Sequence, residues 1–222
     1  MAKVHGMPGE WARVNGMVRG LWPLGLWIFA SGLSLGLAFS NIFVGCFAFI
    51  VTSALAVWYM NIGLQRVESF FKGAKGEEHV AAILAGLPDG YEVFHDYIIG
   101  SEHLDHIVVS SSGILVLETK CWQGPVTLEN DQVLTDGKVP DHSPVDQTRR
   151  EVELVKEHLK SLGWTGVIQG ALVFASDTFT ASADELLGIA IVNSRDLINF
   201  IRQQPAVLTD LEVTRIAQIM EN

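Results

Sequence analysis

Leu104-Asp105-His106-Ile107-Val108-Val109-Ser110, Ser111-Ser112-Gly113 and Ile114-Leu115-Val116-Leu117-Glu118-Thr119-Lys120 form the stretch that decides how this chain is read. Two apolar runs flank a Ser-Ser-Gly turn, the pattern of strand, turn and strand. If the runs pair antiparallel about Ser111-Ser112, residues whose numbers sum to about 223 lie opposite each other. Asp105 then comes beside Glu118. Glu118 and Lys120 are two apart and share one face of their strand. Ile114 to Leu117 is an unbroken apolar run, which suits a strand covered on both faces. The pattern predicts two carboxylates and an ammonium at one end of an otherwise apolar sheet.

Such a set suits phosphodiester hydrolysis. Mg²⁺ prefers oxygen ligands, keeps several waters and leaves room for a phosphate. It lowers the pKa of a bound water and offsets charge on phosphoryl oxygens. A neighbouring lysine stabilises the charge that develops there. An E-x-K pair at a strand end is also common on solvated surfaces. Here it follows an apolar run and faces an aspartate, which separates it from that background.

Outward from this hairpin the chain alternates strand and helix patterns. Tyr91–Ile99 reads as a strand before it, with Pro125–Leu128 and Gln132–Thr135 as shorter strands after it. Ser143-Pro144-Val145-Asp146 opens a helix, with a serine cap and proline in the first turn. That helix runs to about Leu162. Val167–Ala175 and Ile189–Asn193 read as further strands, then a short helix to Gln203 and a last amphipathic helix over Thr209–Met220. The order predicts an α/β fold, a mixed central sheet flanked by helices.

The first third of the chain differs. No charged residue or histidine occurs from Gly20 to Gln65. A helix over Leu21–Met60 would be about 60 Å long, twice the ~30 Å of a bilayer's hydrocarbon core. Two spans fit, turning at Ser40-Asn41. Lys3, Arg13 and Arg19 precede the pair and Arg66, Lys72 and Lys75 follow it, so both ends are expected in the cytoplasm. The expected layout is a cytoplasmic tail over 1–20, a hairpin over 21–62 and a cytoplasmic domain over 64–222, in the inner membrane. Gly32 and Gly36 form a GxxxG match that would let the two helices approach closely. Ala38-Phe39-Ser40 resembles a signal-peptidase site, but the apolar run is longer than a usual signal core and a second follows at once. The second helix is expected to continue to about Gly86, with a break at Gly73 or Gly76.

Charge sets a limit on partners. The whole chain carries −10, and from Arg66 onward 12 basic residues stand against 24 acidic ones, a formal −12. Such a domain does not attract a polyanion over its whole surface. Contact with nucleic acid would be local or helped by metal. The two cysteines, Cys46 and Cys121, form neither a disulfide framework nor a zinc pattern, which suits a reducing compartment.

Several pieces match a known pattern in order and spacing. They are Gly76-Glu77, Leu104 to Val109, Gly113 to Lys120 with Cys121-Trp122-Gln123-Gly124, and Ser143-Pro144 with Gln147. Together they resemble the NERD (nuclease-related) domain, a branch of the PD-(D/E)xK nuclease superfamily, over about Gly73 to Gly163. The resemblance implies a restriction-endonuclease-like core and Mg²⁺-dependent endonucleolytic cleavage of DNA, with Mn²⁺ as a possible substitute. Asp105 and Glu118 would be the metal ligands, with the Thr119 carbonyl as a third. Lys120 would be the catalytic lysine. Glu77 would be the supporting helix glutamate, and Gln147 the glutamine that orients water or phosphate. Cys121 stands where the family commonly has asparagine.

Other readings compete. The same fold could be a catalytically silent module that recruits a protein or nucleic acid to the bilayer, alone or as a homo-oligomer. His103, Asp105 and His106 could form a histidine-rich metal site. Arg149 and Arg150 could contact phosphate or simply face solvent. Cys121 lacks a resolving partner for redox chemistry. Two spans without intramembrane charge argue against a transporter subunit.

Overall fold

A computed structural model describes residues 1–176, 179 and 184–221, leaving aside the side chains of 62–66 and 184. The remaining residues of the 64–222 domain read from sequence lie outside this description. The chain divides into two compact units, one made of Met1–Glu10 with Gly73–Asn222, the other of Trp11–Lys72.

The second unit is a helical hairpin. Helix α1 spans Glu10–Ser40, and α2 begins at Ile42 and runs to Leu84. Only Asn41 separates them. Its Oδ1 accepts from the backbone N–H groups of Phe43 at 3.0 Å and Val44 at 3.3 Å, capping α2. The two helices lie antiparallel. The Trp27 indole donates to Ser53 Oγ at 3.2 Å, and the Trp22 and Tyr59 rings meet edge to face at 5.5 Å. The helices approach closely at Gly45, where any side chain would collide with Ala38. Gly32 and Gly36 have open space where a Cβ would be, so the GxxxG match does not pack the hairpin. Both helices are long and apolar enough to cross a membrane. Their large apolar side chains point outward: Phe29 is 67%, Phe39 89% and Phe43 83% exposed.

The first unit is a mixed seven-stranded sheet with helices on both faces, as the sequence predicts. Strands β1 (Lys3–His5), β2 (Glu92–Ile99), β3 (Glu102–Ser110), β4 (Gly113–Lys120), β7 (Ile168–Phe174), β9 (Ile189–Asn193) and β8 (Asp184–Leu186) follow in that spatial order. β2, β3 and β4 are antiparallel neighbours, while β4, β7 and β9 run parallel. Strands β5 (Val126–Glu129) and β6 (Gln132–Thr135) form a separate two-stranded arm. Helices α3 (Pro144–Ser161), α4 (Leu197–Gln203) and α5 (Asp210–Glu221) complete the unit.

Each face of the sheet has its own core. On one, Val80 and Leu84 of α2 and Leu197 and Ile201 of α4 pack on Val93, Val108, Leu115, Leu117 and Val173. On the other, Val155 and Leu159 of α3 and Val213 and Ile216 of α5 pack on Ile107, Val109, Ile114 and Val116. β4 therefore alternates between two cores, which is why its run reads as continuously apolar.

Two sequence expectations change. Residues 1–20 are not a tail. Lys3–His5 joins the sheet edge parallel to β2, and α1 starts at Glu10. Lys3 Nζ donates to Glu92 Oε1 at 2.7 Å, and His5 lies 3.0 Å from Glu92 and 3.0 Å from Glu221. The His5 ring also stacks on Phe94 at 4.5 Å. Nor does α2 break at Gly73 or Gly76. A Cβ at Gly76 would stand 2.6 Å from that of Cys121, so the glycine serves close approach to the end of β4 and not a bend.

Candidate active site

The β3–β4 register follows the predicted sum of 223, from Ser110 opposite Gly113 to His106 opposite Leu117. The ladder stops there. The same register would next set Asp105 opposite Glu118, and there Asp105 meets β4 with its side chain instead. Its Oδ2 accepts the Thr119 backbone N–H at 2.8 Å. Across β2 and β3 the ladder also skips Asp96 and Asp105, and Asp96 has a φ of 52°. The interrupted pairing turns the Asp105 carboxylate toward β4. N–H and C=O of one strand residue point to the same side. The Thr119 carbonyl thus faces the side on which Asp105 lies.

Glu118 and Lys120 share the face of β4 that looks at α3. Ser143 caps that helix, its Oγ accepting from Asp146 N–H at 3.2 Å, with Pro144 in the first turn. The cap fixes where α3 begins and places Gln147 one turn in. Lys120 Nζ bonds to Glu118 Oε1 and donates to Gln147 Oε1 at 3.0 Å. Gln147 Nε2 in turn donates to Glu151 Oε1 at 2.9 Å. Glu118 is 3% and Glu151 8% exposed. In each, the second carboxylate oxygen, Oε2, is buried without a hydrogen-bond partner.

The electrostatics follow from burying several acids together. Burial pushes Glu77 up to about 7, helped by Asp96 and Glu118 and opposed by a backbone N–H from Gly9. Burial also raises Asp105 well above the usual carboxylate range, with Glu118 and Glu77 adding to it and the Thr119 N–H opposing it. Glu151 is pushed up to about 9 by burial and by Glu118. Burial alone would lower Lys120, but Glu118, Asp105 and Glu151 outweigh it and hold the ammonium above its ordinary value. Lys120 is therefore a stable cation in this setting, suited to stabilising charge and not to acting as a base.

The structure brings Asp105, Glu118, Thr119, Lys120 and Gln147 together, and Glu77 within electrostatic range of Asp105 and Glu118. Glu151 is the member that sequence reasoning missed. Its one signal was its place four residues after Gln147, on the same helix face. The histidine-rich alternative does not assemble. His106 is fully buried and meets His95, Nδ1 to Nδ1, at 2.7 Å, while His103 lies 3.4 Å from Asp96. Arg149 lies 3.7 Å from Asp146 on its own helix. With Arg150 it lines an open groove of about 700 Å³ between α3 and Leu187–Ile189.

Among the described residues no group of three His, Cys, Asp or Glu side chains forms a ready-made metal cage. The donor set nevertheless fits a hard divalent cation. Mg²⁺ is usually held by one or two carboxylates, with water and phosphate completing its shell. Buried carboxylate oxygens without a donor, in a cluster with one lysine, suit such an ion.

The model of the nuclease-related domain matches residues 72–175, a segment that contains Glu77, Asp105, Glu118, Lys120, Gln147 and Glu151. No curated protein and no solved structure gives a significant match. Over residues 72–175 this chain is similar to the nuclease-related (NERD) domain.

Proposed function

We propose that this protein is a membrane-anchored, metal-dependent nuclease that hydrolyses phosphodiester bonds in DNA endonucleolytically. The observation that carries the reading is the contact of Lys120 with Glu118 and Gln147 beside an Asp105 carboxylate fixed by the Thr119 N–H. Asp105, Glu118 and the Thr119 carbonyl would hold Mg²⁺, with Mn²⁺ as a substitute. When bound, the ion supplies charge neutralisation at the phosphoryl oxygens and a more acidic water. Lys120 meets the negative charge that develops on the phosphate. Gln147 holds Lys120 through its carbonyl oxygen and is placed to orient water or phosphate. Glu77 adds a carboxyl within electrostatic range of Asp105 and Glu118.

The hairpin is the anchor. A soluble hairpin would bury its phenylalanines, whereas these face outward, as lipid contact requires. That Met1–Glu10 and Gly73–Asn222 form one unit supports a reading in which the chain returns to the side it left. Basic residues on both flanks put that side in the cytoplasm, at the inner membrane.

The test uses the full chain in detergent or nanodiscs, incubated with circular and linear DNA and Mg²⁺ or Mn²⁺. Wild type is expected to cleave both, and Lys120→Ala to lose activity by roughly a hundredfold or more. Equal, background-level turnover in the two proteins would end the catalytic reading. It would leave a silent module that recruits a nucleic acid or protein partner to the bilayer. The acidic surface favours that second reading.

A further inference from the structure

Lys120 Nζ is held by acceptors from two elements, Glu118 Oε1 on β4 and Gln147 Oε1 on α3, the latter at 3.0 Å. The two are not equivalent. On the metal-dependent reading Glu118 is shared with the ion, which leaves Gln147 as the acceptor outside that competition. An ammonium carries three donors and no acceptor. Only the oxygen of the Gln147 carboxamide can meet it, never the NH₂ group. A carboxamide can present either end, and the wrong end would set donor against donor. Holding Lys120 therefore requires that the NH₂ end be kept on the other side.

Glu151 supplies the acceptor there. Gln147 Nε2 donates to Glu151 Oε1 at 2.9 Å. A spacing of four residues puts the two side chains on one flank of α3. Glu151 is buried, so water does not compete for the amide as it would on an open surface. Close packing sets its place. A Cβ at Gly170 of β7 would stand 2.7 Å from Val152 and 3.2 Å from Thr148, so these residues of α3 rest on bare strand backbone. Thr148 Oγ1 also donates to the Pro144 carbonyl at 2.9 Å. Glu151 lies between Thr148 and Val152, on a turn of the helix that is seated against the sheet.

We propose that Glu151 is a positioning residue: by accepting from the Gln147 amide it turns the Gln147 carbonyl to Lys120 and so fixes where the ammonium stands. The inference rests on the nuclease reading above for its reaction, and on hydrogen bonds alone for its geometry. What the role requires at this position is an acceptor, not a charge. Glutamine supplies one, whereas leucine fills similar space and supplies none. A lysine stem has four rotatable bonds, so an ammonium that loses this tether samples several directions. Misplacement of that kind slows the chemical step and leaves substrate binding largely alone.

The test uses the full chain in nanodiscs and two measurements. One is cleavage of circular DNA with Mn²⁺. The other, without metal or DNA, is the rate at which an N-hydroxysuccinimide ester acylates Lys120, read by peptide mass spectrometry. Glu151→Leu is expected to lower kcat by roughly tenfold or more with KM nearly unchanged. Lys120 is then expected to acylate roughly threefold faster or more, measured against the exposed Lys75. Glu151→Gln is expected to restore both toward wild type. In a Gln147→Ala background, adding Glu151→Leu is expected to change neither. Glu151→Ala takes the place of Glu151→Leu if the leucine variant does not fold. Leucine and glutamine variants that behave alike overturn the inference. So does a loss that persists without Gln147, which would have Glu151 act on Glu118 directly. A wild type that cleaves nothing ends the nuclease reading, and the acylation rates still decide whether Glu151 orients the amide.

Discussion

At the scale of single residues, burial sets the pH behaviour of the site. Glu77 at about 7 and Glu151 at about 9 are both held above the ordinary value of 4.5. The fold therefore favours their protonated forms. Their contribution to stability is full below that ordinary value and declines as pH rises through the two folded values. The thermal midpoint of the metal-free chain should fall between about pH 5 and pH 9, and Glu151→Gln should flatten the upper part of that decline. A midpoint that rises over this range would contradict the assignment. On the metal-dependent reading, added divalent ion should act in the opposite direction and stabilise most where the carboxylates are ionised. Gly76 gives a second residue-level prediction. Gly76→Val places a side chain against Cys121 and should lower stability by about 1–3 kcal/mol, read as a lower unfolding midpoint. Gly73→Ala, with open space at its Cβ, should cost nothing measurable or stabilise slightly.

At the scale of elements, β1 is one of the two short edge strands of the sheet. It is three residues long and sits at an edge, held to Glu92 through Lys3 and His5. Glu92→Ala removes both contacts. Hydrogen exchange of residues 2–6 should then speed up while β3 and β4 keep their protection. Equal protection in the variant would show that backbone pairing alone holds β1. This strand also marks where the sequence stops being legible. β3 and β4 could be read because a turn of known length fixes which residues face each other. Asp105, Glu118 and Lys120 followed from that arithmetic. Lys3-Val4-His5 has one apolar residue and no periodicity, so only a tertiary partner makes it a strand. β8 hides for the same reason. Glu151 looked like one helix acid among several, since nothing in the sequence shows that its face turns inward at the end of β4. Gly73 and Gly76 suggested a break because glycine weakens isolated helices. Packing against the sheet overrides that weakness here.

At the scale of the whole molecule, the two units have opposite demands on solvent. The hairpin presents phenylalanine and leucine outward, and the sheet unit presents a strongly acidic surface. Reporter tags placed at Met1 and after Asn222 should be labelled from the same side of sealed vesicles, the cytoplasmic one. Labelling from opposite sides would refute the two-span layout. The acidic surface keeps the domain from anionic lipid and from non-specific adsorption to DNA. Any cleavage should then depend on divalent ion for binding as well as for chemistry.

The order of synthesis gives β1 a further meaning. Lys3 and Glu92 are 89 residues apart in the chain, and both apolar helices emerge between them. β1 leaves the ribosome well before β2 and pairs with it only after both helices have emerged. Until the second helix has turned the chain back, the edge of β2 that β1 covers stays open. Under the proposed two-span layout, a chain whose hairpin inserted wrongly would strand its own N-terminus across the bilayer and could not close its sheet. Completion of the fold would then be a built-in check on insertion.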